Sequence, residues 1–453
     1  MSKSHLYGLH DRPPHAISLL VALQHTLAVF GGIVAAPLII AGGMGLSFAD
    51  TAYLVSSALF ISGLATLIQI NRFGSIGSGL LSIQGTSFTF IGPLIAAYFI
   101  LLNKSDPAIA LGTLFGTSAL CALTVGLCAQ FVEKVKLFIT ANVTGTTVIL
   151  IGATLVLTTL NNIVREIDTL KASSGSGALA ILLTLCAFSV TFATSMQKHP
   201  ILRMTSVTLG LLFGFILAYF FGFIEFSKLN ELGLLQLPEF ARFPLGFDLT
   251  TYLALLPIFF ISSMESIGDL TATSSLSKIS MGSADYWKRI RGGVSGDALN
   301  SVIASIFCTF PNTSFSQNNG VIRLTGVSSP FVGRYTAVIL MCLGAFPLVG
   351  GIFLLVPNSV LYGATILMFM LVIVSGINIV QSQAKVDPWR WWVVGFSILL
   401  GWALSLSVGE MSFLPAWAQR LFTFPISNGA IFAIFIEAVR VVVREQRVSV
   451  HRS

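Results

Sequence analysis

Apolar runs of about twenty residues recur along the whole chain of 453 residues. A helix of that length crosses the ~30 Å hydrocarbon core of a bilayer and satisfies its own backbone polar groups there. Charged residues make up only 9% of the sequence and hydrophobic residues 55%. An ordinary soluble domain has roughly 25% charged residues. The sequence therefore predicts an all-α polytopic membrane protein with no separate soluble domain.

Fourteen membrane segments are predicted. They lie near residues 16–40, 50–71, 79–102, 107–131, 137–158, 177–196, 203–223, 250–275, 293–310, 313–330, 334–356, 358–379, 391–408 and 424–440. Of the 25 lysines and arginines, 18 fall on the side of the two termini, 6 on the opposite side, and Arg323 lies inside a segment. Basic residues accumulate in cytoplasmic loops, so both termini are expected to be cytoplasmic. The net charge of +7 then reflects topology and anionic lipid headgroups, not nucleic-acid binding.

Seven segments precede the longest hydrophilic connection, at 224–249, and seven follow it. An odd number in each half starts the second half from the opposite side, so the halves are predicted to be inverted repeats. A second external stretch, at 161–172, has the spacing of a short amphipathic surface helix.

Segments 3 and 10 are broken by small and polar residues, and both contain the tripeptide Thr-Ser-Phe, at 86–88 and at 313–315. Non-helical backbone at membrane depth is tolerated only inside the protein or along a cavity. The stretches near 84–90 and 312–318 are therefore expected to meet in the interior as short extended pieces that lead into half-helices. The free N–H groups of such helix starts favour an anionic or carbonyl-rich ligand.

Three acidic residues fall well inside the segments: Glu265, Asp269 and Asp297. A carboxylate at mid-helix costs about 2.5–3.5 kcal/mol on insertion scales, which makes each one a candidate for function. Glu265 and Asp269 are four residues apart and share a helix face. Two close carboxylates do not readily ionise together in a low dielectric, so this pair is predicted to carry a proton. The alternative is a structural pair bonded to neighbouring serines.

The other polar residues inside the segments carry weaker predictions. Asp297 is either a coupling residue or a tie to a neighbouring helix. His25 is the only histidine inside a segment, and a structural role is favoured for it. Gln317 has an amide that reads the N–H and C=O edge of a flat ring, and a carboxylate such as Glu265 accepts two ring N–H groups. With the Phe88 ring nearby, these suit a purine-dione or pyrimidine-dione. The alternative for residues 317–320 is a polar turn at a helix start.

The run QNNGVIRLTG at 317–326 resembles the signature of the nucleobase–ascorbate transporter family. DRPP near the N-terminus, QH in segment 1, GSGLLSIQ, ESIGDLTAT and RGGVSGD extend the resemblance over nearly the whole chain. Within the family, the chain most closely resembles the bacterial xanthine/uric acid permeases.

The resemblance implies a core domain of segments 1–4 and 8–11, at 16–136 and 250–357. It implies a gate domain of segments 5–7 and 12–14, at 137–249 and 358–440, with cytoplasmic tails at 1–15 and 441–453. The core would move against the gate like an elevator, and the gate would form a homodimer. The implied activity is proton-coupled import of xanthine, uric acid or both. Protons are the coupling ion, and no cofactor is expected.

The resemblance also implies a substrate site. Glu265 would bind the purine, Gln317 would hold its opposite edge, and the backbone at Phe88 and Ser316 would complete the contacts. Gln at 317 favours purines over uracil, and the absence of Pro there argues against ascorbate. Xanthine permeases carry Asn where this chain has Ser87, and the smaller side chain would admit uric acid or relax selectivity.

The remaining implied roles concern the proton. Asp269 would be the proton-coupling acid, Asp297 and His25 would support its network, and Asn318 would shape the site.

Three other functions are weighed against this one. The first is a uracil or broad nucleobase symporter. The second is an anion transporter of similar architecture, which three intramembrane carboxylates against a single Arg disfavour. The third is a membrane enzyme, which would need a nucleophile beside a base and its orienting group. The sequence favours a transporter over an enzyme.

Overall fold

The computed structural model describes residues 6–131, 140–174, 177–381, 389–411 and 413–450. The predicted boundary between residues 136 and 137 lies outside these ranges. The first half contains the following elements: α1 (His15–Met44), α2 (Phe48–Asn71), β1 (Gln84–Thr86), α3 (Ile91–Leu102), α4 (Pro107–Cys128), α5 (Ala141–Ser174), α6 (Gly177–Ser195), α7 (Pro200–Met204) and α8 (Ser206–Phe220).

The second half contains α9 (Leu249–Leu276), α10 (Ala284–Ile306), β2 (Asn312–Ser314), α11 (Gln317–Thr325), α12 (Pro330–Ala345), α13 (Pro347–Leu354), α14 (Asn358–Gln381), α15 (Trp389–Ser407), α16 (Ala416–Phe422) and α17 (Pro425–Val450). Short 3₁₀ turns occupy Phe88–Phe90, Ala129–Phe131, Phe226–Glu231 and Val408–Glu410. Both halves therefore begin with two long helices, one short strand and then a helix.

Eight of the described helices are long and apolar enough to cross a membrane, and the bent pair α12–α13 makes a ninth if it is counted as one span. Every one of the fourteen predicted segments contains a helix, but the others are too short or too polar to pass this test. Helices α3 and α11 are short because each follows a strand. Helix α10 begins at Ala284 and includes charged residues before its apolar part.

The prediction of a separate surface helix at 161–172 is wrong. Helix α5 continues without interruption to Ser174. No glycine or proline lies between residues 153 and 172 to end it. The amphipathic stretch is thus the last part of a membrane helix.

Strands β1 and β2 form a two-stranded antiparallel ladder, in which Gln84 pairs with Ser314 and Thr86 with Asn312. All six residues of the ladder are buried. The expectation that the two broken stretches meet in the interior as extended pieces is confirmed. The ladder satisfies backbone groups that neither stretch satisfies by itself.

The helices pack mainly in two groups. Helices α1–α4 and α9–α13 contact one another closely, as in the pairs α2–α12 and α4–α10. Helices α5, α6, α8, α14, α15 and α17 form the second group, in which α5 lies along α14. Helices α5, α16 and α17 also contact α9, so α9 borders both groups.

The connection from α8 to α9 is attached to the first group. The Tyr53 hydroxyl accepts from the Glu239 N–H (2.9 Å), and its single proton faces the carbonyls of Glu239 (3.1 Å) and Phe307 (3.0 Å). The Arg242 guanidinium lies 4.3 Å from the centre of the Tyr53 ring and 3.5 Å from the carboxylate of Asp50. Residues 239–242 are therefore held to α2 and to the end of α10.

Candidate functional site

The end of the ladder places two helix starts next to each other. The 3₁₀ turn that leads into α3 begins at Phe88, and α11 begins at Gln317. Among the described residues, the backbone N–H groups of Phe88, Ser316 and Gln317 have no hydrogen-bond partner. Such free N–H groups at helix starts are ready donors for a carbonyl-rich or anionic ligand.

The Glu265 carboxylate on α9 is held by hydroxyls from the other half of the chain. Thr89 donates to its Oε2 at 2.8 Å, and the Ser87 hydroxyl lies 3.5 Å from the same oxygen. A carboxylate has two oxygens and about four acceptor positions, so Oε1 is left for a ligand. Ser87 itself is fully buried behind Glu265 and uses its hydroxyl to accept from the Thr89 N–H.

An inner cavity brings together four of the six predicted substrate residues, without Ser87 and Asn318. Glu265, Gln317, Phe88 and Ser316 all line it, and so does Asp269. The wall opposite these residues comes from the second helix group, with Val148 of α5 and Val372, Ser375 and Ile379 of α14. An acid, an amide, an aromatic ring and free backbone donors therefore converge on one space.

A larger cavity of about 920 Å³ adjoins the inner one and shares Asp269, Ser316 and Ser375 with it. We call it the vestibule. It runs between α9, α10 and α11 on one side and α5 and α14 on the other. Met281 of the 277–283 loop and Trp287 of α10 line it. That loop is on the side predicted to be cytoplasmic.

Asp269 lies at the junction of the two cavities. Its backbone carbonyl accepts from Thr273 Oγ1 at 2.9 Å and from the Asn319 amide at 3.5 Å. In the described part of the chain, its carboxylate makes no hydrogen bond. It is therefore an acid that has access to the cavities and is not tied to a structural partner.

Asp297, by contrast, is the centre of a buried hydrogen-bond network and lines neither cavity. Its carboxylate accepts from Gln69 at 2.9 Å, from Ser314 at 3.3 Å and from the Ser266 hydroxyl. Ser314 also accepts from the Gln84 amide at 2.9 Å. Asp297 thus connects α10 to α2, α9 and β2. Because α10 begins at Ala284, this residue lies more than three turns inside its helix, not about one turn as the sequence indicated.

His25 and Asn318 lie behind α11 and line neither cavity. The His25 ring is fully buried and interacts with Asn318, but neither ring nitrogen has a partner at hydrogen-bonding geometry in the described chain. The Asn318 amide donates to the carbonyl of Leu81 at 2.5 Å. This bond holds α11 against the stretch that leads into β1.

The Phe88 ring is fixed by aromatic neighbours. It stacks on Phe315 with ring centres 5.8 Å apart and meets the edge of Phe369 at 5.5 Å. Gly32 and Gly85 make room for Phe315, because a Cβ at these glycines would lie 2.9 Å and 2.7 Å from its ring. The ladder, the glycines and the two rings together fix the floor of the inner cavity.

Several residues of the site were not predicted from the sequence. Thr89 donates to the carboxylate of Glu265. Gln69 and Ser266 both donate to the carboxylate of Asp297. Asn319 accepts from the Thr273 hydroxyl at 2.7 Å. The only signal in the sequence is that they are polar side chains near the breaks or the acids. Which of them meet depends on the ladder register.

The comparisons with known proteins agree with one another. A family model described as a permease family, Xan_ur_permease, matches residues 16–409. The chain is 36% identical over 436 residues to the xanthine permease XanP of Escherichia coli (strain K12), covering 96% of this chain and 94% of that protein. It is 34% identical over 437 residues to the xanthine permease XanQ of the same strain, covering 96% and 93%.

A solved structure shows the same architecture at low identity. The transmembrane domain of the cyanobacterial bicarbonate transporter BicA aligns with a TM-score of 0.58 and 14% identity, over 93% of this chain and 99% of that one. The likeness shows a fold of two inverted repeats of seven segments each. It carries no information about what this chain transports.

Proposed function

Because the chain belongs to the xanthine/uracil permease family, we propose that it is a proton-coupled symporter that imports an oxidised purine, either xanthine, uric acid or both. Membership makes the protein a membrane transporter of purines or related bases and not an enzyme. The choice of purine, the coupling ion and the mechanism are our proposal. The relatives described above are named xanthine permeases, which supports xanthine first.

The observation that carries the proposal is the shared wall of the inner cavity, to which Glu265 and Gln317 both contribute. In the proposed complex, Glu265 accepts two ring N–H groups, and the Gln317 amide donates to and accepts from the opposite edge. The N–H groups of Phe88 and Ser316 meet the ring carbonyls. A neutral binding pair such as two amides would match a dione less well, because charge-assisted hydrogen bonds are stronger.

The alternating-access part of the proposal is supported by the two helix groups. In our proposal the first group is the core domain and the second is the gate domain, and the cavities between the two groups support this assignment. In our proposal the core slides against the gate and carries the purine with Glu265 and Gln317 across the membrane. We further propose that the gate domain forms the homodimer contact and that both termini are cytoplasmic.

The test of substrate class is uptake of radiolabelled xanthine by cells that lack their own purine permeases and express this protein. We expect saturable uptake that unlabelled xanthine or urate abolishes and uracil does not. Uracil competing as well as xanthine would favour a broad nucleobase symporter. Inhibition by bicarbonate or chloride, without inhibition by purines, would contradict the proposal and favour an anion transporter.

We propose Asp269 as the proton-coupling residue, because it reaches the cavities and has no structural partner. Asp269→Asn is expected to leave purine binding within about threefold, since no ligand contact is assigned to it, while removing purine-driven proton entry. Proton entry is measured as internal acidification of proteoliposomes after xanthine is added. Purine affinity is measured by isothermal titration calorimetry. Normal acidification by the variant would show that the proton travels by another group.

A further inference from the structure

Arg323 is the one cationic side chain on the wall of the vestibule, within the ranges that the structure describes. Its side chain is exposed to this cavity. No ion pair or hydrogen bond of its guanidinium is found in the described chain. Asp269 is the only acid on the same wall, and it lies at the inner end of the cavity. The proposed import mechanism gives Arg323 no role.

The register of α11 places Arg323 outside the inner cavity. Ser316, Asn319, Gly320 and Arg323 all line the vestibule, at the three- and four-residue spacing of one helix face. Arg323 is six residues beyond Gln317, which is about 9 Å along the helix axis. A small ring held by Gln317 and Glu265 would therefore lie away from the guanidinium. Arg323 therefore marks a second possible binding position, in the vestibule and farther from Glu265.

Groups suited to a flat ring line the same cavity as Arg323. Trp287 of α10 offers an aromatic face, and Asn378 of α14 exposes a primary amide to the vestibule from the opposite wall. A guanidinium is planar, always charged and able to bind an anionic oxygen through two N–H groups. A planar ring bearing negative charge fits these three groups better than a neutral or non-planar solute does.

We propose that Arg323 makes the vestibule a second binding position for the purine, selective for its anionic form. The inference rests on the proposed function. Urate is a monoanion at neutral pH, whereas xanthine is mostly neutral, so the attraction acts chiefly on urate. Urate passing through the vestibule binds at Arg323 before it reaches the inner cavity or after it leaves it. The position thereby biases selectivity on one side of the membrane only.

The test measures how strongly urate inhibits xanthine uptake, from the vestibule side in inverted membrane vesicles and from the other side in intact cells. With Arg323→Gln, we expect the half-inhibiting urate concentration to rise about tenfold on the vestibule side, equivalent to about 1.4 kcal/mol. It is expected to stay unchanged on the other side. Arg323→Lys should retain most of the wild-type value. Added salt should weaken urate inhibition of the wild type on the vestibule side and have little effect on Arg323→Gln.

Lys288→Gln is the matched control, because Lys288 is an exposed cation next to Trp287 that does not line the vestibule. It should match the wild type on both sides. Wild-type protein that urate does not inhibit from the vestibule side would overturn the proposal. The proposal would also be overturned if urate inhibited Arg323→Gln as strongly as the wild type, or if the half-inhibiting urate concentration of this variant changed equally on both sides. Absence of xanthine uptake by the wild type in either preparation would instead refute the proposed function.

Discussion

Glu265 is positioned by a residue that lies 176 positions away in the chain, since Thr89 of the first half donates to its carboxylate. The acid itself was predictable, because a carboxylate inside an apolar segment is too costly to be incidental. The same reasoning found Asp269, whereas Gln317 was found by the ability of its amide both to donate and to accept. Thr89 was not predictable, because threonines are common in apolar segments and only the ladder register brings this one to Glu265. The separate environment of Asp297 was hidden for the same reason.

Glu265→Gln is expected to weaken purine binding by about a hundredfold, or about 2.7 kcal/mol, because it replaces a charged acceptor of two N–H groups. Binding of labelled xanthine to purified protein measures the change. Glu225→Gln, an exposed acid in the α8–α9 connection, is the control. Wild-type affinity in Glu265→Gln would remove this residue from the site.

Asp285, on the first turn of α10, gives a prediction for pH. The Arg289 guanidinium donates to its carboxylate at 2.8 Å and, with Arg72 and Lys288 nearby, lowers the pKa of Asp285 in spite of partial burial. A lowered pKa in the folded state means that the carboxylate adds stability above its unfolded pKa of about 3.9. This contribution is lost as the pH falls through the folded value.

Asp285→Asn is therefore expected to lower the melting temperature in detergent by on the order of 1 °C at pH 7. The two melting curves should converge only once the pH falls below the lowered pKa of the folded state, where Asp285 is protonated in both states. Asp168→Asn, at an exposed acid on α5, serves as the control. A difference that persists unchanged into acid would mean that the charge of Asp285 is not its cause.

At the scale of elements, α10 depends on close approach to the turn before β1. The Gly77 N–H donates to the carbonyl of Gly292 at 2.7 Å, and the Arg289 guanidinium donates to the carbonyls of Ser78 and Gly79. The stretches GSGLLSIQ and RGGVSGD therefore meet face to face. The sequence showed them as separate motifs, and only the packing of α10 on α2 explains why both are rich in glycine.

Gly292→Ala tests this contact, because a Cβ there would lie 2.4 Å from the Gly77 carbonyl oxygen. Pushing α10 away would also strain the Gln69–Asp297 bond, so we expect a loss of about 1–3 kcal/mol in stability. Thermal unfolding in detergent measures it. Gly92→Ala on α3 is the control, since nothing lies within 4 Å of its Cβ position. Equal stability of the two variants would show that the approach of α10 is not required.

At the scale of the whole molecule, the inverted repeat was predictable from the odd number of segments in each half and from the two similar breaks. The path of α5 was not, because an amphipathic stretch after a membrane span is read equally well as a surface helix or as a continuation. The two cavities were not predictable either. They depend on how the two helix groups are placed, and no local pattern encodes that placement.

In the proposed orientation the vestibule opens to the cytoplasm, which predicts one-sided labelling. Asn378→Cys, in a background where the exposed Cys128 and Cys342 are replaced by serine, should react with a membrane-impermeant maleimide from the cytoplasmic side. Xanthine should slow this reaction about threefold or more if it fills the cavity. A cysteine at exposed Phe73, outside the cavities, should react regardless of xanthine. Labelling of Asn378→Cys only from outside would contradict the assigned orientation.

The α8–α9 connection contains the hinge that the proposed movement of the core domain against the gate domain requires. Phe226 meets the ring of Tyr219 of α8 edge-on, whereas Leu229 and Leu232 pack against Gly351 of α13. The change of attachment thus occurs within a few residues. In the proposed mechanism, the connection from Leu229 onward moves together with the core domain. An antibody fragment bound to residues 239–247 would then report the position of the core domain from the side predicted to be extracellular.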